Sequence, residues 1–166
     1  PERSVEEQFE TIEARVVDLD TGLFVDDVDP ATFDQRKSSK DPSQSRALSG
    51  DEDPAKIIRR ENRAVVYLVN DGNGGLDRII LPIHGYGLWS TLYGFVALES
   101  DANTIVGLGF YEHGETPGLG GEVDNPSWKA KWSGKLAYKD GHVAITVLKG
   151  TVNPCLLYTS DAADDP

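Results

Sequence analysis

Glu115-Thr-Pro-Gly-Leu-Gly-Gly121 is the stretch of this 166-residue chain whose residue types are best placed to do chemistry. Gly118, Gly120 and Gly121 fall within four positions, so backbone can come close to a flat or anionic ligand with no Cβ in the way. Pro117 stiffens the approach. The Glu115 carboxylate could accept hydrogen bonds or balance a redox-linked proton. The plainer reading of the same residues is an ordinary glycine turn. It is not a phosphate-cradling P-loop, because no Lys-Ser or Lys-Thr follows. A second glycine turn, His84-Gly-Tyr-Gly-Leu-Trp89, comes after an apolar strand. Gly85 and Gly87 have the spacing of a dinucleotide fingerprint, but its third glycine is missing, the position falling at Ser90 just after Trp89. Leu88 and Trp89 suit either the wall of a flat ring or packing beneath a tight turn.

Other chemistries find no support. His84, His113 and His142 lie in separate segments without spaced partners, so no metal site is expected. His113-Gly-Glu115 is not the zinc-protease HExxH pattern, and no G-x-S-x-G supplies a nucleophile elbow. No catalytic residue is therefore assigned. Sixteen basic residues against 28 acidic ones give a net charge of −12, which argues against a nucleic-acid partner. No apolar run has the length of a membrane-spanning helix. The chain opens on Pro1-Glu2-Arg3 and contains no Met, so a preceding segment is expected.

These loops need elements to position them. Val5, Phe9, Ile12 and Val16 are spaced as one face of an amphipathic helix. Asp29-Pro30 is a helix-start signal for a short helix through Phe33 and Arg36, and Asp53-Pro54 repeats it. Residues 37–52 read as an exposed polar loop. From Ala64 the texture becomes strand-like. Ala64–Val69 and Leu76–Ile83 flank the turn Asp71-Gly-Asn-Gly-Gly75, and Thr91–Leu98 and Thr104–Tyr111 flank Asp101–Asn103. Asn125-Pro126 starts a helical turn that stacks Trp128 and Trp132 at i, i+4, as core anchors. A last hairpin runs from Leu136–Tyr138 to Val143–Leu148. The expected class is α+β: a mainly antiparallel sheet with N-terminal helices packed on it.

Several blocks together resemble the C subunit of the sodium-translocating NADH:quinone oxidoreductase. They include Ile80–Ser90, Phe95–Glu99 and Tyr111–Trp128, with Thr21–Val25, Asp34–Lys37, Lys40–Ser45 and Val65–Val69 upstream. The Glu-Thr-Pro-Gly-Leu-Gly segment is shared more widely by FMN-binding domains. The resemblance implies an FMN cofactor, joined by a phosphoester to a Thr in a Ser-Gly-Ala-Thr motif. It implies an electron carrier on the way from NADH to ubiquinone, coupled to sodium export, whose partners are the other subunits of a membrane complex. It further implies an N-terminal membrane anchor, with this domain on the outer face of the bacterial inner membrane. By the same resemblance Glu115, Thr116, Pro117, Gly118, Leu119 and Gly120 border the flavin ring, joined by Gly85, Gly87, Leu88 and Trp89. The alternative is a non-redox adaptor that docks neighbouring subunits.

The chain departs from that pattern in two ways. It has no Ser-Gly-Ala-Thr motif, and the anchor helix is missing. Cys155-Leu-Leu-Tyr-Thr-Ser-Asp-Ala-Ala-Asp164 matches, residue for residue, the translation of an adapter used in DNA sequencing libraries. Residues 1–152 are accordingly expected to be one FMN-binding-type domain, incomplete at its C-terminal side, and 153–166 a non-biological tail. Such a chain is expected to bind free FMN weakly or not at all, and to be inactive alone.

Overall fold

The computed structural model describes residues 11–148 and 159–161. Its centre is a six-stranded antiparallel sheet. The strands are β1 (Ile12–Asp18), β2 (Phe24–Val25), β5 (Arg63–Asn70), β6 (Leu76–Tyr86), β7 (Thr91–Glu99) and β8 (Ile105–Glu112), in the spatial order β2-β1-β5-β6-β7-β8. The hairpins form where short polar residues close the turns. Asp71 accepts from the amides of Asn73 and Gly75 at 2.7 and 2.9 Å, and Asp101 accepts from the amides of Asn103 and Thr104, both at 2.8 Å. Pro82 is tolerated within β6 because the β5–β6 pairing stops at Tyr67 opposite Ile80, so its missing N–H costs no ladder bond on that side.

The N-terminal expectation needs correction. Ile12–Asp18 is a strand, paired with β5 from Ile12 opposite Val69 to Asp18 opposite Arg63. Val5 and Phe9 lie outside the described residues. Helices packed on the sheet from the N-terminal side are not what forms. Among the described residues that half holds one six-residue helix, α1 (Gln35–Lys40). Its N-cap is Asp34, whose carboxylate accepts from the Lys37 amide at 2.9 Å. Asp29 caps only a turn, through the Ala31 amide. Asp53 likewise caps a turn, through the amides of Ile57 and Ile58. Lys56 and Ile58 have φ of 52° and 68°, which a right-handed helix cannot contain. The stretch 37–52 is more ordered than a loop. It carries the end of α1 and β3 (Ser45–Ala47), which pairs with β4 (Arg59–Glu61), and it buries Ser38 and Ser45.

On the opposite face, Leu98, Ile105 and Trp132 form a buried cluster with Leu81, Val96, Leu108 and Trp128 packed against it. Trp132 follows α2 (Pro126–Ala130), capped by Asn125 through the Ser127 amide, and the two indoles meet edge to face at 5.2 Å. The last hairpin is split. β9 (Tyr138–Lys139) pairs with β10 (His142–Val143), while β11 (Thr146–Leu148) pairs in parallel with β12 (Thr159–Asp161).

Candidate functional site

The two glycine turns meet at one end of the sheet. β6 and β8 run in the same direction on either side of β7, so the turn after Tyr86 and the loop after Glu112 leave the same edge. The β6–β7 turn is closed by the Gly87 amide on the Ser90 carbonyl at 2.8 Å. Ser90 then links the loops, its Oγ accepting from the Gly114 amide at 2.7 Å.

Glu115 is the main connection. Its side chain is buried, and its Oε1 accepts from the amides of Trp89 and Ser90, both at 3.0 Å. Oε2 accepts from the Leu88 amide at 3.3 Å, and the Ser90 hydroxyl donates to Oε1 at 3.4 Å. Of the two roles open to this carboxylate, the geometry is that of an acceptor already engaged. These bonds hold it below the usual carboxylate range: the Trp89 amide contributes most, and burial opposes them. Two glycines make the arrangement possible. A Cβ on Gly87 would lie 2.5 Å from Leu92 Cδ1 and 2.6 Å from Glu115 Oε1, and one on Gly120 would lie 2.5 Å from Glu115 Oε2. Gly85 is different, since its Cβ would make ordinary contact with Ala55.

The rest of the second loop is a compact turn. The Thr116 carbonyl accepts from the amides of Leu119 and Gly121 at 3.1 and 2.9 Å, and Gly118 sits at φ 77°. Thr116, Pro117 and Gly118 are exposed. So are the apolar tips: Leu88 is 68% exposed, Trp89 65% and Leu119 51%. Neither loop, 84–90 or 113–121, contains Lys or Arg. This arrangement suits a flat apolar group better than a phosphate.

Residue types alone did not reveal three supports, Ser90, His113 and Asp124. His113 Nε2 lies 2.7 Å from Asp124 Oδ2, while its Nδ1 accepts from the Glu115 amide at 3.3 Å, which puts the ring proton on Nε2. No spacing signal links these positions in the sequence. The three histidines stay apart: His84 stacks on Tyr93, and no group of three metal-ligating side chains occurs among the described residues.

Cavities elsewhere among the described residues include two over the sheet. One, of about 280 Å³, is bounded by Arg36, His84, Tyr93 and Tyr111. The Arg36 guanidinium lies 3.6 Å over the Tyr93 ring and is bound by Glu112 and the Tyr111 hydroxyl, so its charge is already matched. The other is an open apolar trough of about 730 Å³ over Ile12, Ala14, Tyr67, Ile80, Phe95 and Ala97.

The FMN-binding domain family matches residues 87–153, beginning at the first residue of the β6–β7 turn. The C subunit of the Na(+)-translocating NADH-quinone reductase of Pseudomonas aeruginosa is 58% identical over 144 residues, covering 86% of this chain and 55% of that protein. Its counterpart in Vibrio anguillarum is 55% identical over 149 residues, covering 89% and 58%. The crystal structure of NqrC from Shewanella oneidensis superposes with a TM-score of 0.86 at 38% identity, covering 95% of this chain and 72% of that one. The chain belongs to the NqrC family, the C subunits of Na(+)-translocating NADH-quinone reductases. A second structure of the family, from Parabacteroides distasonis, superposes with a TM-score of 0.68 at 27% identity and shares the fold. The chain spans a little over half the length of the Pseudomonas and Vibrio relatives. Among its described residues, no helix is long and apolar enough to cross a membrane.

Proposed function

We propose that this chain is the ring-binding part of an FMN-carrying NqrC protein, an electron carrier between NADH and ubiquinone in a respiratory sodium pump. The observation that carries the proposal is the joining of two glycine turns by Glu115, with Leu88, Trp89 and Leu119 exposed on the loops it joins. Leu88, Trp89 and Leu119 would contact the faces of the isoalloxazine ring. The backbone of Thr116, Pro117, Gly118 and Gly120 would approach its edge, with Gly85 and Gly87 shaping the opposite turn. When bound, the flavin supplies the redox chemistry, and the protein positions it and sets its electrostatic surroundings. The absence of basic residues from both loops fits a phosphate held elsewhere, at a Thr of a Ser-Gly-Ala-Thr motif outside this sequence.

In this reading residues 1–152 are the partial flavin domain and 153–166 are foreign to it, which the end of the family match at residue 153 supports. The complete protein would be anchored in the inner membrane, display this domain on the periplasmic side and contact other subunits of the complex.

The test is to express the complete gene with a flavin transferase and denature the product. The protein is expected to stay yellow. A colourless product would contradict the flavin reading and favour a docking protein without redox chemistry. Free FMN added to the 166-residue chain is expected to bind more weakly than micromolar, since the sequence holds no Ser-Gly-Ala-Thr to tether it.

A further inference from the structure

Three consecutive amides, those of Leu88, Trp89 and Ser90, all donate to one carboxylate at the β6–β7 turn, the first to Oε2 and the other two to Oε1. Converging backbone N–H groups of this kind make an anion-binding nest, a common seat for phosphate. Here the nest is filled from within the chain by a carboxylate 25 to 27 residues away in sequence. Around that carboxylate Gly87 and Gly120 leave no room for a further atom.

We propose that Glu115 is the positioning residue of the ring site, an internal anion that fills this nest and thereby fixes how Leu88 and Trp89 are presented. The proposal rests on the flavin reading above and deepens it. It has a corollary for specificity: with its amides occupied, the turn is closed to the phosphate of the cofactor and open only to an apolar group. It also separates Glu115 from proton transfer, because both of its oxygens are already accepting hydrogen bonds. A lowered carboxyl pKa, caused chiefly by the Trp89 amide, agrees with this but is not its basis.

The same geometry explains the second glycine. Gly120 is required by Glu115 itself, since the three nearest neighbours of its missing Cβ are all Glu115 side-chain atoms. Replacing Gly120 should therefore matter most while the Glu115 carboxylate is present, a coupling that a double-mutant cycle measures.

The test uses the complete flavinylated protein and the variants Glu115→Ala, Glu115→Gln, Gly120→Ala and Glu115→Ala/Gly120→Ala. Amide exchange at 88–90 is expected to quicken by about tenfold or more in Glu115→Ala, and formate is expected to slow it again by refilling the nest. Glu115→Gln should fall between, because its amide group opposes the Leu88 N–H. The visible circular dichroism of the bound flavin should change in the same order while core amides near Trp132 keep their protection. In the Glu115→Ala background, Gly120→Ala should add much less, because only the retained Cβ of residue 115, 3.1 Å from the added methyl, still crowds it. Unchanged exchange at 88–90 in Glu115→Ala would overturn the proposal. So would a freed turn with unaltered flavin dichroism, which would leave Glu115 structural without a positioning role. A colourless wild type would instead overturn the flavin reading beneath it, with the exchange data still deciding whether Glu115 fills the nest.

Discussion

Two of the places where the described residues expose apolar surface are built in opposite ways. At the turn edge, Leu88, Trp89 and Leu119 stand on a backbone whose amides are tied to Glu115 and whose glycines are crowded by it. On the sheet face, the larger trough over Ile12, Tyr67, Ile80 and Phe95 has no such frame, and Gly107 and Gly109 beside it face open space where an added Cβ would meet nothing. The difference separates a surface that can orient a ligand from one that can only be covered. Binding sites combine apolar walls with a few placed polar groups, and size alone does not identify them. The turn edge meets that description, and the trough does not.

Substitutions at the glycines sharpen the contrast. Gly87→Ala places a methyl against both Leu92 and Glu115 and is expected to cost about 1–3 kcal/mol, read by chemical denaturation. A cost near zero would mean that the turn relaxes freely and that the crowding has no consequence. Acid should act on the same edge. The folded Glu115 pKa lies below the ordinary value of 4.5, so its contribution is fully present above 4.5 and is lost as pH falls through the folded value. Trp89 emission should therefore show an acid step that is absent in Glu115→Gln, and a step shared by both proteins would assign it to another group. The smallest effect is expected at the trough. Gly107→Ala and Gly109→Ala should change stability by no more than about 0.5 kcal/mol, with a gain favoured because glycine weakens strand interiors. A clear loss at either position would show that something in the chain already lies over that face.

The strands from Ala64 onward were legible because two independent signals coincide there: apolar runs of strand-forming residues, and Asp-led turns whose carboxylates cap the bends at Asp71 and Asp101. The N-terminal segment misled for a definable reason. Ile12 and Val16 are four residues apart, and that spacing returns a side chain to the same face of both a helix and a strand. Seven pairs with β5 decide in favour of the strand. The Trp128–Trp132 contact was readable because the two indoles are four residues apart, while the strand residues Leu98 and Ile105 beneath Trp132 carry no such local signal. Glu115 was readable as a candidate, and its partners were not. A nest formed by the amides of 88–90 has no residue-type signature, and neither His113–Asp124 nor Ser90–Gly114 follows a local period.

The most direct test of the central claim is the emission of Trp89 in the complete protein. Wild type and Trp89→Phe would be compared, each with and without its covalently attached flavin. If the two glycine turns form the ring site, the emission that Trp89 contributes should be strong without flavin and largely quenched with it. A Trp89 contribution that is the same with and without flavin would place the ring elsewhere and contradict the account.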